Sequence, residues 1–476
     1  MKSSAKYLLL LFLGFLAITA KSQEHPFQLK ITLNGLKDSM IYLANYYGPK
    51  VLRVDSVRLD NTGAAIFKYK EQRPKGMYVI YLNKDNYFDF LLGEDQKFAI
   101  STSFAPLAKR VINGASETEE FQQYQEFLTL QRVKQQKLQK EGERHKSNPD
   151  SVKILNGEME KLNKEMEKYW NDKSAEFPKT FLADFFQSMI FPKAPEFNIP
   201  ADCKNSDSLK WVMNYNFTKN HYWDNFNFSQ SGMIRTPLIE SRLDNYFKNN
   251  LLQIPDSLLK PTFEVIEKSK VNQEMFHYIS LQRLNAALTS EVMGMDKLFV
   301  EIAERYFLTS EGSWLDSTAL GKIKEKLRVT KPNLIGNLAP ELKLPDSEGN
   351  FYSLRQMNSK YTLLLFWEPN CSHCKKTVPQ LYKDLYLPLK EKGIDIYAVC
   401  TQNKKEDWLK AILEYKILDW TNVWDPSVTS NFRTLYDVYS TPVVYILDST
   451  KHIIAKRLDV ESAVKFLNAN LNNKSH

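Results

Sequence analysis

Phe366-Trp367-Glu368-Pro369-Asn370-Cys371-Ser372-His373-Cys374-Lys375-Lys376 is the stretch that decides the fold of the chemically active part of this chain. It follows the apolar run Tyr361 to Leu365, which reads as a buried strand, and it precedes Val378-Pro379-Gln380-Leu381, which reads as a helix. The order is strand, turn, dithiol, helix. Two cysteines with two residues between them at a helix N-terminus can form and break a disulfide with little backbone movement. The helix dipole and the free N–H groups there favour a thiolate on the first cysteine. The stretch therefore reads as a redox centre.

Working outward, Lys331-Pro332-Asn333 reads as a linker, and beyond it the periodicity alternates between strand and helix. Strands are expected at Phe351 to Leu354, Tyr361 to Trp367, Ile394 to Cys400, Asn422 to Trp424, Val443 to Leu447 and Ile453 to Lys456. Helices are expected at Lys375 to Lys390, Lys404 to Tyr415, Ser430 to Tyr436 and Glu461 to Asn470. This alternation predicts a three-layer α/β domain over 335–476.

From about Ile335 to the C-terminus the chain resembles the thioredoxin-like envelope proteins of the TlpA and ResA class. The residues that carry the resemblance are Gly336-Asn337-Leu338-Ala339-Pro340, the Gly349 turn with Leu354, the strand into Phe366-Trp367, the dithiol Cys371-Ser372-His373-Cys374, Pro379, and Ser440-Thr441-Pro442-Val443. The resemblance implies a thiol-disulfide oxidoreductase with Cys371 as nucleophile and Cys374 as resolving thiol. It also implies a cis Pro442 beside the dithiol and a Thr441 backbone that binds an extended substrate. Glu368, His373 and Trp367 are the residues expected to modulate the pair. Leu365 stands where cytosolic thioredoxins place a buried aspartate, so Glu368 is the candidate replacement as proton acceptor. Asn370 replaces the usual apolar residue before the first cysteine.

The direction of electron flow is pulled two ways. His373 immediately before Cys374 resembles oxidants and isomerases, in which a stabilised thiolate raises the potential. The surrounding domain resembles reductants fed by a membrane electron donor, which favours a reductase or general exchange role. Other uses of the cysteine pair fit less well. A zinc ribbon needs a second pair, haem attachment needs histidine where Lys375 stands, and a copper site with His452 wants a wider cysteine spacing. No metal or cofactor is called for. The competing functional reading is a non-catalytic envelope binding protein whose thioredoxin module is a redox-inert scaffold.

The chain has 476 residues and a formal net charge of +8, with basic and acidic residues interspersed. No dense basic run lies beside aromatics, which argues against nucleic-acid binding. Lys2 and Lys6 precede an apolar stretch from Tyr7 to Ile18, and Ala20-Lys21-Ser22 supplies small residues at a cleavage site, so 1–22 is expected to be a signal peptide. The apolar stretch is short for a spanning helix, which needs about 20 residues. The expected location is the periplasm or cell envelope, with protein dithiols and disulfides as substrates. Cys203 and Cys400 are left over from the close pair and are expected to be buried thiols, with a bridge between them as the alternative.

Residues 24–112 alternate with period two: Phe27, Leu29, Ile31 and Leu33, then further short runs separated by Asn34-Gly35, Asp60-Asn61-Thr62-Gly63 and Gly93-Glu94-Asp95. They predict an antiparallel β-sandwich. At Ser116 the period changes, and Ser116-Glu117-Thr118-Glu119 reads as a capping box. A break at Ser147-Asn148-Pro149-Asp150 then separates two long helices, the second with a seam at Leu155, Met159, Leu162, Met166 and Tyr169. Helical patterns fill 113–332, and the aromatic run His221 to Phe228 is expected to be a buried joint between helices. The β region and the helical region resemble the domains of unknown function that precede thioredoxin modules in Gram-negative envelope proteins. The fold class is therefore multidomain: an N-terminal β-sandwich, a central all-α region and a C-terminal thioredoxin-like α/β domain.

Overall fold

A computed structural model describes residues 26–105 and 108–472; the expected signal peptide at 1–22 lies outside them. The chain forms two compact units, one ending at Asp244 and the other starting at Asn245.

In the first unit β1 (Phe27–Leu33), β2 (Met40–Tyr47), β3 (Lys50–Arg58), β4 (Ala64–Tyr69), β5 (Gly76–Tyr81), β6 (Tyr87–Leu92), β7 (Lys97–Thr102) and β8 (Val111–Asn113) build two four-stranded sheets. Their orders are β4-β1-β7-β8 and β3-β2-β5-β6. The period-two pattern has its expected cause: Phe27, Leu29, Ile31 and Leu33 are all buried and share one core with Phe67, Ile80 and Phe90 of both sheets. One pairing departs from the expected antiparallel sandwich. β1 and β7 run parallel, with Leu29 opposite Phe98. β1 already pairs antiparallel with β4, and β7 is reached by way of the second sheet, so a crossover rather than a hairpin sets its direction.

Among the described residues five α-helices complete this unit: α1 (Ser116–Arg144), α2 (Pro149–Glu176), α3 (Phe181–Gln187), α4 (Ser206–His221) and α5 (Leu238–Asp244). The expected capping box is absent. Ala115 occupies the cap position without a side-chain bond, and Ser116 is already helical. The working carboxylate is Glu117, 2% exposed, which accepts the backbone N–H of Glu94 at 2.8 Å and that of Leu182 at 2.8 Å. It joins the sandwich to α3, while Glu119 stays exposed. The second helix does start as its sequence indicates: Asn148 accepts from the N–H groups of Asp150 and Ser151, with Pro149 in the first turn. The α1–α2 hairpin is held at its base by Phe127 stacked on Tyr169 at 4.3 Å and by Tyr169 Oη donating to Glu120 at 2.7 Å.

The aromatic run is a buried joint. Tyr222, Trp223, Phe226 and Phe228 are each at most 7% exposed. Tyr222, Trp223 and Phe226 pack around Arg242, with Phe228 behind them against Trp223 and Phe226; the guanidinium lies 4.3 Å from the Phe191 ring centroid and 5.1 Å from that of Tyr222. Arg242 also donates to the carbonyl oxygens of Ser188 and Tyr222.

The second unit begins with α6 (Pro255–Ser269), α7 (Gln273–Leu288), α8 (Asp296–Ile302) and α9 (Ser317–Thr330). The chain continues through the hairpin of β9 (Lys343–Pro345) and β10 (Phe351–Ser353), then β11 (Tyr361–Trp367), α10 (Cys374–Gln380), α11 (Leu387–Leu389) and β12 (Ile394–Cys400). It ends with α12 (Lys405–Glu414), β13 (Thr421–Trp424), α13 (Phe432–Leu435), β14 (Val443–Asp448), β15 (Ile453–Lys456) and α14 (Val460–Asn472). The five-stranded sheet has the order β13-β12-β11-β14-β15. β11 to β13 are parallel, and β14 and β15 pair antiparallel. β11 reads as an unbroken apolar run because both of its faces are covered. Leu363, Leu365 and Trp367 face the core that holds Val378 and Trp408, whereas Leu364 and Phe366 face the one that holds Tyr436 and Tyr445.

The expected linker at Lys331-Pro332-Asn333 is a tight turn packed into this unit. Asn333 is 2% exposed. The Lys456 ammonium, at the end of β15, donates to the Asn333 carbonyl oxygen at 2.7 Å and to Asn333 Oδ1 at 3.0 Å, and it pairs with Asp296 of α8. A second tie joins Lys326 of α9 to Asp437 at 3.0 Å. The helices after Asn245 and the thioredoxin-like sheet are thereby one body. Composition marks Lys-Pro-Asn as a loop, but the buried partner of Asn333 comes from a strand over a hundred residues later, which local pattern does not show.

Candidate active site

Register brings the site together. β11 and β14 pair antiparallel with Phe366 opposite Val443. Trp367, the last residue of β11, and Pro442, the residue before β14, therefore lie at one edge of the sheet. β12 pairs in parallel with Trp367 opposite Cys400, which brings Thr401 to the same edge, where its N–H donates to the Trp367 carbonyl oxygen at 3.0 Å. Three chain segments thus converge: 368–374 with the dithiol, Thr401, and 439–442.

Cys371 lies in the turn that leads into α10. Its carbonyl oxygen accepts from the Lys375 N–H at 3.0 Å, and the Cys374 N–H lies 3.4 Å from the Cys371 sulfur. The sulfur holds the place of a capping side chain, facing an N–H group that the helix itself cannot satisfy. On its other side the Cys371 Sγ lies 3.2 Å from the Thr441 carbonyl oxygen, and the Thr441–Pro442 peptide bond is cis. Burial pushes the Cys371 thiol up, but hydrogen bonding from the Cys374 N–H, the Thr441 side chain and the His373 N–H outweighs it, and the thiol falls below its ordinary value. Cys374 behaves in the opposite way. It is fully buried, and burial, together with the neighbouring Cys371, pushes its thiol up to about 12.

The other expected residues divide. His373 is exposed, and its backbone N–H is among the groups that lower the Cys371 thiol. Trp367 does not line the site surface. Its indole is fully buried in the core that also holds Cys374, and its Nε1 is buried without a hydrogen-bond acceptor among the described residues. Leu365 is buried in the same core, so no carboxylate comes from that position of the strand. Glu368 is half-buried, and its Oε1 accepts from the Thr401 hydroxyl at 2.6 Å. Asn370 is exposed and donates to Asp407 of α12 at 3.0 Å, which ties the turn before the dithiol to the following helix.

Thr401 is the residue that sequence reading missed. It directly follows an expected strand, so its place at the strand end was legible; its meeting with Glu368 depends on the parallel register of β12. Cys400, one residue earlier, is buried, and burial pushes its thiol up to about 12. All four cysteines are free. Among the described residues no group of three or more histidine, cysteine or acidic side chains is placed to hold a metal ion.

A five-stranded thioredoxin-like sheet that presents an exposed-to-buried cysteine pair at a helix start beside a cis-proline defines a thiol-disulfide oxidoreductase. Comparison with known proteins agrees. The AhpC/TSA family profile matches residues 335–456, and that of a domain of unknown function, DUF5106, matches residues 157–333. The thiol-disulfide oxidoreductase ResA of Bacillus cereus (strain ZK / E33L) is 36% identical over 133 residues, 28% of this chain and 71% of that protein. ResA of Bacillus anthracis is 36% identical over 76 residues, 16% of this chain and 40% of that protein. A solved domain of a possible thiol-disulfide isomerase from Cytophaga hutchinsonii ATCC 33406 is 41% identical, covers 29% of this chain and 95% of that one, and has a TM-score of 0.28. Through its C-terminal module the chain belongs to the thioredoxin-like thiol-disulfide oxidoreductases that include ResA.

Proposed function

We propose that this protein is an exported thiol-disulfide oxidoreductase of the cell envelope, acting on polypeptide disulfides through Cys371 and Cys374 as a reductase or general exchange catalyst. The observation that carries the reading is the asymmetry of the pair. Cys371 is partly exposed and its thiol is held below the ordinary value, while Cys374 is fully buried with a thiol near 12. In the reducing direction the Cys371 thiolate attacks one sulfur of a substrate disulfide. A mixed disulfide forms, and the other substrate sulfur leaves as a thiolate that takes up a proton. Cys374 then gives up its proton and attacks the Cys371 sulfur; the first substrate sulfur leaves, and the enzyme disulfide holds the oxidation equivalent of two electrons. Thr441 and Pro442 flank the sulfur where an extended substrate would lie. Glu368, held by Thr401, is the group we assign to receive the Cys374 proton.

The reductive direction is supported by the resemblance of the whole C-terminal module to the TlpA and ResA class. A membrane electron donor would restore the dithiol. For the location, the N-terminal export pattern supports the envelope, and no helix among the described residues is long and apolar enough to cross a membrane. The test is a Cys374→Ser variant in envelope extracts. It should trap mixed disulfides through Cys371, and recovery of none under conditions that trap partners of a ResA control would overturn the reading. An equilibrium potential near that of thioredoxin, about −270 mV, supports the reductase, and one near −120 mV supports an oxidant.

A further inference from the structure

One exposed side chain at the dithiol edge has no part in the exchange just described. Tyr439 is 68% exposed and lies two residues before Thr441, whose carbonyl oxygen touches the Cys371 sulfur. Together with α9 it borders a shallow, open groove of about 430 Å³, lined by Thr318, Gly321, Lys322, Glu325, Lys326, Val329 and Tyr439. The α9 residues fall at three- and four-residue steps, so they form one helix face.

Gly321 sets the shape of the groove. It sits inside α9, where glycine costs roughly 0.5–1 kcal/mol relative to alanine. A Cβ added there would meet nothing within 4 Å. The missing side chain is therefore not demanded by packing, and its absence leaves the groove open. The wall opposite is fixed in place: Lys326 pairs with Asp437 at 3.0 Å, and Asp437 also accepts from Arg457 at 3.0 Å. This ties α9 to the loop that carries Tyr439. Arg328 is taken up by Glu325 at 2.7 Å. Lys322 has no ion-pair partner among the described residues, so the rim keeps one uncompensated positive charge.

We infer that this groove recognises the stretch of substrate polypeptide next to the reacting cysteine. It takes one aliphatic or aromatic side chain two residues from that cysteine, with a neighbouring carboxylate set against Lys322. The inference rests on the oxidoreductase reading above. An extended chain advances about 3.3–3.6 Å per residue, so a substrate running past Thr441 toward Tyr439 delivers its second residue to the groove. The helices that precede the thioredoxin-like sheet would then choose substrates, while the sheet edge performs the exchange.

The probe is a set of short peptides, each with a single cysteine in mixed disulfide with glutathione and with leucine or serine two positions to either side of it. The reduced full-length protein should release thiol from the leucine peptide roughly tenfold faster than from the serine peptide, the discrimination expected of one apolar side chain in a pocket. An aspartate beside the leucine should add a further gain that Lys322→Ala removes. Gly321→Phe fills the groove and Tyr439→Ala removes its wall, and each should bring the leucine-to-serine ratio close to one. The ratio cancels any loss common to both peptides. Should Gly321→Phe not fold, Tyr439→Ala, a change at an exposed side chain, carries the test. Equal rates for the two peptides with the wild type, or a ratio that survives in Tyr439→Ala, would overturn the groove. A wild type that exchanges with neither peptide nor oxidised glutathione would overturn the oxidoreductase reading as well.

Discussion

The Cys374 N–H lies 3.4 Å from the Cys371 sulfur, so the resolving residue activates the nucleophile through its backbone while its own thiol stays buried. At neutral pH only one of the two sulfurs is therefore reactive. In a Cys203→Ser background, which removes the free and partly exposed Cys203, iodoacetamide should modify Cys371 alone, with a rate that rises with pH through a midpoint below the ordinary thiol value of about 8.5. Cys371→Ala should abolish the labelling, and Cys374→Ala should retain it with the midpoint still below ordinary. A midpoint at or above 8.5 would contradict the geometry.

The buried thiols make an opposite prediction for stability. Cys374 and Cys400 are held near 12 in the folded chain, against about 8.5 when unfolded. Above pH 8.5 the unfolded chain releases these protons and the folded chain keeps them, so ν_U falls below ν_N and stability declines as pH rises toward 12. Their contribution is fully present below pH 8.5. Urea midpoints of the reduced protein should fall across this window, and Cys400→Ala should make the slope shallower while lowering the midpoint overall through the lost side-chain packing.

Glu368 accepts from Thr401 at 2.6 Å. If Glu368 receives the Cys374 proton, Glu368→Gln should slow resolution of a preformed mixed disulfide by roughly 10²-fold, with labelling of Cys371 unchanged. Thr401→Val frees the carboxylate and should give a smaller loss together with a shifted pH profile of the resolving step. Stopped-flow release of a substrate thiol reads both; equal resolution in Glu368→Gln and wild type would remove Glu368 from the pathway.

The α1 start offers a contrast between sequence pattern and structure. Glu119 completes the apparent capping box yet is exposed, whereas Glu117 is buried on two backbone N–H groups. Glu119→Ala should change stability by no more than about 0.5 kcal/mol. Glu117→Ala leaves the buried Leu182 N–H and the half-buried Glu94 N–H without their acceptor and should cost about 2 kcal/mol. Denaturant melts of the two variants settle the order.

Lys456 is 7% exposed, with Asp296 and Asn333 as its partners. Removing one member of a buried ion pair leaves the other uncompensated, so Lys456→Ala should lower stability by roughly 3 kcal/mol. Lys456→Met with Asp296→Leu should recover much of that loss. Chemical denaturation of the single and double variants gives the coupling.

What was legible in the sequence follows from where each cause lies. β11 declares itself because a strand covered on both faces is apolar throughout, and the dithiol declares itself by its spacing at a helix start. The alternation of Phe27, Leu29, Ile31 and Leu33 likewise gives a strand buried on one face. What escaped depends on partners far away in the chain. The parallel pairing of β1 with β7, the burial of Asn333 under Lys456, and the contact of Thr401 with Glu368 are all set by register or crossover, which no local pattern records.

The register of β11 against β14 also governs timing. The Thr441 side chain, which helps to lower the Cys371 thiol, comes from 70 residues further along the chain. During synthesis the dithiol emerges well before the strand that completes its surroundings. Until β14 docks, Cys371 has only its own helix start to activate it. The growing chain therefore passes through its early, unfolded stage with its nucleophile partly muted, and full reactivity coincides with closure of the sheet.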